Sequence, residues 1–154
     1  MQAIAAIEYA TKHNRTLYFH INGSRVEQGG NACLKNIRSL FNETNHTLIE
    51  WPWLDHPMFL RLMSKMDVCL QVSLSESFCI VAADAVYMGV PVVVSKDVTW
   101  LPHFDRVSPN SSIEIMKKIH QVLRWKKQIT QLNQIYLLHY NVKSKRAWKQ
   151  FLQA

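Results

Sequence analysis

Two acidic side chains lie eight positions apart in the segment SESFCIVAADAVYMGVPVVVS, residues 75–95. Glu76 precedes the apolar part of this segment and Asp84 lies within it. Carboxylates accept hydrogen bonds, so a pair of them can hold the hydroxyl groups of a sugar or a ribose. A structural interpretation also fits, in which Glu76 stabilises a helix N-terminus and Asp84 is an exposed helix residue. The spacing alone leaves both interpretations open.

The elements around the two acids favour a ligand site. The pattern predicts a strand over 68–74, then a helix over 78–89, and ligands of open α/β sheets bind beyond the carboxyl ends of strands. A helix N-terminus at that edge offers free N–H groups and a partial positive charge, which suit a phosphate. Asp84 would lie roughly 9 Å further along the helix, at the distance of a ribose. The candidate donors are the amides of Ser77, Phe78, Cys79 and Ile80.

The remaining sequence alternates helical and strand patterns. Helices are predicted over 3–13, 32–43, 56–66 and 78–89, and strands over 16–21, 46–51, 68–74 and 90–95. Helices between successive strands are typical of parallel βαβ units. We therefore predict an α/β fold with a Rossmann-like parallel sheet of about four strands and flanking helices. We expect residues 1–154 to form one domain, with an α/β core over 1–100 and a C-terminal region over 101–154 that contains a basic helix over 111–140 and a last helix over 144–152.

Composition limits the function classes. The net charge is +7, concentrated in the C-terminal third, which favours an anionic partner or a solvated helical face. Three cysteines without a paired pattern, and no credible signal peptide, predict buried thiols and a cytoplasmic setting. The seven histidines lack metal-ligand spacing, so no metal is expected. Cys79 at a helix N-terminus suggests a thiol of lowered pKa, although no neighbour argues for a nucleophile.

Residues 73–95 resemble the nucleotide-sugar-binding segment of GT-B glycosyltransferases, particularly the large retaining family 4. Glu76 and Asp84 match its two acids, Phe78 matches its phenylalanine, and GVP at 89–91 matches its Gly-x-Pro before a valine-rich strand. YFHINGSR at 18–25 looks like the family's strand that ends in a glycine near the donor phosphates. The resemblance covers roughly residues 16–100 and implies a nucleotide diphosphate sugar as donor, without a metal or other cofactor.

By this resemblance, Glu76 and the amides of residues 77–80 hold the donor sugar, and Asp84 binds the ribose. Gly23 lets the backbone approach phosphate, and Arg25 is a candidate phosphate ligand or an ordinary exposed arginine. The loop 51–54 would lie near the base. Stacking of Trp51 or Trp53 on the base is one interpretation, and packing in the core is the other. No catalytic residue is assigned.

Three departures from the family pattern bear on activity. Asp84 replaces the usual glutamate, which shortens the side chain by ~1.5 Å, and Cys79 replaces the usual glycine. The family's strand with an Arg and a Lys for the diphosphate would precede residue 1. The family's N-terminal Rossmann domain, which binds the acceptor, would also precede residue 1. Catalysis needs both domains, because each supplies one wall of the active-site cleft. Without that strand we expect a four-stranded core that closes the gap or dimerises.

Two main function hypotheses follow. The first is the donor-binding domain of a hexosyltransferase, incomplete as a catalyst alone and completed by a homodimer partner or a separate acceptor-binding domain. The second is a non-catalytic nucleotide-binding or protein-interaction module with the same fold. The basic run KSKRAWKQ over 143–150 allows peripheral membrane contact. It carries no recognised nucleic-acid-binding motif, so nucleic acid is the least favoured partner.

Overall fold

The computed structural model describes residues 1–24, 26 and 29–153. In that part the helices are α1 (Gln2–Lys12), α2 (Asn31–Asn42), α3 (His56–Met63), α4 (Ile80–Tyr87), α5 (Ser112–Arg124) and α6 (Lys126–Leu152). The strands are β1 (Tyr18–Asn22), β2 (Thr47–Trp51), β3 (Cys69–Gln71), β4 (Val92–Ser95) and β5 (Arg106–Val107). A short 3-10 helix, His103–Asp105, precedes β5.

All strand pairs are parallel, and helices connect successive strands from β1 to β4. This confirms the predicted α/β fold, with flanking helices and a helical C-terminal region. The strands form two sheets rather than one: β1 pairs with β2, while the second sheet has the order β3-β4-β5. Among the described residues no strand pairing joins β1 to β3, so the gap expected from the sequence has not closed.

Local sequence explains where the elements begin and end. The Asp55 carboxylate accepts a hydrogen bond from the Met58 amide and caps α3, with Pro57 in the first turn. Gly89, at φ 77°, ends the turn after α4 in a left-handed conformation that suits glycine. The Ser111 hydroxyl accepts from the Glu114 amide and caps α5. These are signals that sequence patterns carry directly.

Two apolar clusters hold the second sheet. One joins α4 to β4 and includes Ala82, Ala85 and Val94, which are almost completely buried. The other lies on the opposite face of the sheet and joins α1, β4 and α5 through residues such as Ala5, Val93 and Ile115. The β4 valines are wholly buried, as expected of a central parallel strand covered on both faces. The first sheet is less buried, since its apolar residues keep partial exposure.

Several element boundaries differ from the sequence prediction. β3 ends at Gln71 rather than residue 74, because the chain leaves the sheet there for the loop that leads to α4. The predicted single helix over 111–140 is broken at Trp125, whose φ of −112° and ψ of 32° are not helical. The predicted break near residue 142 is wrong, since α6 runs without interruption from Lys126 to Leu152. β5 was not predicted, because two residues carry no periodicity.

Candidate functional site

The first part of the candidate site is the loop between β3 and α4. It brings the predicted donor-binding residues, from Glu76 to Ile80, together at the carboxyl end of β3. The Ser73 hydroxyl donates a hydrogen bond to the Glu76 carboxylate at 3.3 Å and so holds this acid at the loop base. Ser77 and Ile80 are exposed, whereas Glu76 is half-buried. Among the described residues the N-cap side chain of Cys79 makes no capping hydrogen bond to α4, although an interaction with the Ala82 amide opposes the rise in the pKa of its thiol.

Aromatic packing anchors this loop from behind. The Phe78 ring lies 5.5 Å from the Trp100 ring and 5.2 Å from the Tyr140 ring, measured between centroids. The Trp100 indole N–H also donates a hydrogen bond to the Phe78 carbonyl oxygen. Trp100 itself is buried, as packing after the fourth strand predicts. The Phe78 side chain therefore positions the loop, while its backbone remains the candidate ligand group.

Cys79 is the residue whose backbone is unusual. It is the N-cap of α4 at φ 61°, in the left-handed region that glycine adopts most readily. This is also the position where the resembling family carries glycine. The hypothesis of a lowered thiol pKa is wrong: burial raises the pKa of Cys79, and the negative charge of Glu76 adds to that rise. Cys79 and Cys69 are buried as predicted, but Cys33 is exposed on α2.

The conformation of Cys79 predicts a specific order of substitutions. Cys79→Val should destabilise the fold by about 2–3 kcal/mol, because a β-branched side chain clashes at positive φ. Cys79→Gly should stay within about 1 kcal/mol of the parent, because relief of backbone strain offsets the lost side-chain packing. Urea unfolding measures both. Cys69→Val, at a buried strand position, is the control and should cost less than ~1.5 kcal/mol. Equal tolerance of valine at the two positions would contradict the left-handed backbone.

Asp84 lies on α4 and faces a large cavity between the two sheets. Its carboxylate is 3.0 Å from the His56 Nε2 atom, at the start of α3. The Asp84 side chain is 17% exposed and that of His56 is 63% exposed, so the pair is accessible from the His56 side. Sequence reasoning missed His56, because only the fold places the start of α3 beside α4. Asp84 lies ~6 Å along the helix axis from Ile80, the first helical residue.

Two tryptophans at the end of β2 line the same cavity, Trp51 as the last residue of the strand and Trp53 in the loop after it. The Trp51 indole N–H donates to His20 Nδ1 at 2.9 Å, and the two rings are stacked with centroids 6.1 Å apart. Burial lowers the pKa of His20, which favours the neutral, accepting form of its ring. Trp51 is half-buried, whereas Trp53 is 65% exposed. The interpretation that each tryptophan packs in the core is therefore wrong for Trp53 and only partly correct for Trp51.

Gly23 follows β1 and is separated in sequence and sheet from the α4 loop. A β-carbon at this position would collide with the Glu50 carboxylate, so its smallness makes room for that side chain. Arg38 forms a two-pronged ion pair with Glu50, with both N–O distances 2.7 Å, and this hydrogen bonding lowers the pKa of Glu50. Arg38 is a cation near Gly23 that sequence reasoning missed. Arg25 lies outside the residues that the structure describes.

The predicted site residues do not all line the cavity between the two sheets. Asp84 lines it, whereas Gly23 and the loop residues 76–80 do not. Within residues 1–24, 26 and 29–153, no three His, Cys, Asp or Glu side chains group as metal ligands. No helix in the same part of the chain is long and apolar enough to cross a membrane. No protein-family model matches the sequence, and no curated protein matches it significantly.

Proposed function

We propose that the chain is the donor-binding domain of a GT-B-type glycosyltransferase and binds a nucleotide diphosphate sugar. In this proposal the α4 loop holds the sugar and first phosphate, and Asp84 holds the ribose. The second cleft wall, with the acceptor, comes from a separate domain or a second copy. The proposed setting is cytoplasmic, and the transferred group is a hexose. Donor binding needs no metal in this proposal.

The observation that carries the proposal is the arrangement of α4. Its N-terminus lies at the carboxyl end of β3, and Asp84 projects one turn further on into the cavity beside His56. A helix N-terminus and its dipole suit a phosphate, and a partly accessible carboxylate suits a ribose diol. The left-handed backbone at Cys79 supports the resemblance, because that position of the family pattern is glycine.

The neighbouring side chains add to this arrangement. The His56 ring N–H can donate a hydrogen bond to the Asp84 carboxylate. It can donate instead to a ribose oxygen that takes the place of the carboxylate. Trp53 lines the same cavity as Asp84 and is an aromatic residue of the kind that packs against a base. The Cys79 side chain is buried, so it does not block the backbone of the loop from a ligand.

Calorimetric titration with UDP-, GDP- and ADP-sugars tests the proposal. One donor should bind, and Asp84→Ala should weaken it about 10- to 100-fold, the effect of losing a charge-assisted hydrogen bond. Glu8→Ala is the matched control, since Glu8 is an exposed acid on α1 outside the cavity. The absence of binding by any donor at millimolar concentration would reject the proposal. Equal losses in the two variants would remove Asp84 from the site.

The second candidate function is a non-catalytic nucleotide-binding or protein-interaction module. The observation that favours it is the existing His56–Asp84 contact, because a ligand must displace or share that hydrogen bond. The two functions separate in one assay. A module of this kind binds a nucleoside diphosphate as tightly as the corresponding nucleotide sugar, whereas a donor site gains affinity from the sugar hydroxyls.

A further inference from the structure

The two sheets present unpaired edges to the same cavity. The Thr47 amide donates to the Leu17 carbonyl, and the Gly23 amide donates to the Trp51 carbonyl. Odd-numbered residues of β1 therefore face β2, because backbone groups of alternate residues point to opposite edges of a strand. The other edge of β1 carries the N–H and C=O groups of Tyr18, His20 and Asn22, and these three residues line the cavity.

The same reasoning identifies the free edge of β3. The Cys69 amide donates to the Pro91 carbonyl beside β4, so Leu70 and its alternate neighbours Val68 and Val72 point away from β4. Val68 and Leu70 line the cavity. In the described part of the chain, no hydrogen bond reaches the backbone of His20 or Leu70 on these edges. Unpaired strand edges of this kind are templates for pairing with another strand.

One side chain already imitates such a strand. The Gln2 carboxamide donates to the Val72 carbonyl at 3.2 Å and accepts from the Val72 amide at 3.4 Å. A carboxamide carries both N–H donors and a C=O acceptor, so Gln2 satisfies the two backbone groups of Val72 that a neighbouring strand would otherwise pair with. The edge of β3 is thus competent to pair, and its pairing is satisfied at one end only.

The size and walls of the cavity fit a polypeptide. Its volume is about 1500 Å³, above the roughly 300–1,000 Å³ of small-molecule pockets. The walls include small residues of α1, such as Ala3 and Ala6, and apolar residues of α3, such as Phe59 and Leu62. An extended segment of five residues spans roughly 17 Å, the length of β1. Alternating apolar side chains of such a segment would meet apolar walls on both faces.

Charge defines one end of the occupant. Near the amino ends of β1 and β3 the cavity is lined by Arg15, Lys65, Arg124 and Lys126, and Asp67 is the acid described there. Asp67 already pairs with Lys126. The pKa of His13, which lines the cavity, is lowered mainly by burial. The nearby side chains of His120, Lys12 and Arg15 lower it further through their positive charge. The excess positive charge complements acidic residues at the start of a strand that runs parallel to β1 and β3.

We infer that the inter-sheet cavity is a docking groove for an extended apolar strand of a partner polypeptide, with acidic residues at its amino end, which pairs with β1 and β3 at once. The bound strand would join the two sheets into one six-stranded parallel sheet. This interaction is independent of the proposed donor site, although Asp84 and His56 lie at the carboxyl end of the same cavity. Recognition by strand addition draws affinity from backbone hydrogen bonds and specificity from alternate side chains.

A synthetic peptide tests the inference with the full chain. The probe is a blocked peptide of two aspartates, five alternating valine and isoleucine residues, and a glycine. Hydrogen exchange measured by NMR should show at least tenfold slower exchange at the His20 and Leu70 amides when the peptide is saturating. The matched control has N-methyl groups on alternate residues, which remove hydrogen bonds but keep the side chains. Equal protection by both peptides, or protection by neither, overturns the inference.

Charge reversal tests the direction of binding. A peptide with two lysines in place of the aspartates should bind at least tenfold more weakly at low salt. The double variant Arg15→Glu, Lys65→Glu should reverse that preference, and both replaced residues are exposed, so the fold should persist. An unchanged preference rejects the assigned orientation.

Two further outcomes would assign the groove to another occupant. A peptide-free dimer in which the His20 and Leu70 amides are already protected would identify a second copy as the occupant. Protection of both amides by a nucleotide sugar would identify a small molecule. A failure of donor titration leaves these exchange measurements unaffected, so the two proposals stand or fall separately.

Discussion

Asp105→Asn is expected to stabilise the protein by up to about 4 kcal/mol at pH 8 and to have little effect near pH 4. Asp105 is completely buried, and neither carboxylate oxygen has a hydrogen-bond partner among the described residues. Burial raises the pKa of Asp105 from 3.8 to about 7, against the opposing effects of the Asn133 amide and the Lys118 charge. A shift of one pKa unit corresponds to ~1.4 kcal/mol of folding free energy, and this conversion gives the expected size of the stabilisation.

The sign follows from proton binding. Between pH 4 and 7 the folded state keeps the Asp105 proton, whereas the unfolded state has released it. The free energy of unfolding therefore falls as the pH rises through this window and stays low above it. The asparagine side chain cannot ionise, so the variant loses this part of the pH dependence. Titrating groups other than Lys118, whose pKa the Asp105 charge raises, contribute equally to both proteins and cancel in the difference.

Urea unfolding of the parent and of Asp105→Asn at pH 4, 5.5, 7 and 8 measures the effect. The control is Asp97→Asn, because Asp97 is exposed in the turn after β4. The free energy of unfolding of Asp97→Asn should differ from that of the parent by an amount that changes by no more than about 0.5 kcal/mol between pH 4 and pH 8. A constant difference between Asp105→Asn and the parent from pH 4 to pH 8 would show that Asp105 titrates at its ordinary pKa.

Trp100→Ala is expected to cost about 3–5 kcal/mol of stability, the scale of removing a large buried aromatic side chain. Trp100 is 6% exposed and packs against Phe78, whose carbonyl its indole N–H also holds. The substitution removes both the packing and the anchor of the α4 loop. We therefore expect it to weaken nucleotide-sugar binding at low temperatures where the variant remains folded.

Two further variants separate packing from the hydrogen bond. Trp148→Ala is the control, because Trp148 is 63% exposed near the end of α6, and it should cost less than about 1 kcal/mol. Trp100→Phe keeps an aromatic ring but removes the N–H donor, so it should cost roughly 1–3 kcal/mol. Equal stability of Trp100→Ala and Trp148→Ala, by urea unfolding, would contradict the buried aromatic anchor.

Local sequence signals predicted most of the fold. The buried valine run of β4 and the Gly89 stop after α4 locate those elements within about two residues, because both signals act over short range. The division of the strands into two sheets was not predicted. It depends on whether β1 and β3 pair with each other, and pairing between distant segments cannot be read from a run of apolar residues. Trp125 likewise breaks a helix although its residue type is compatible with one.

The positions of the candidate residues were predictable where those residues are close in sequence. Glu76, the loop amides and Asp84 are within nine residues, so strand and helix patterns predict that they belong to one loop and helix, but not that Asp84 lines the cavity while residues 76–80 do not. His56 and Arg38 come from other elements and meet Asp84 and Glu50 only through the packing of helices on the sheets. The raised pKa of Cys79 has the same origin, because burial, rather than the helix terminus next to it, determines the result.

The split sheet also governs folding cooperativity. Since no strand of the described residues links the two sheets, β1, α2 and β2 can open together without breaking a described hydrogen bond of β3, β4 or β5. The molecule then behaves as two stability units of unequal strength, and a single transition need not describe its unfolding. A strand bound between them would join the units into one cooperative structure, so occupancy of the groove would change how the protein unfolds as well as how stable it is.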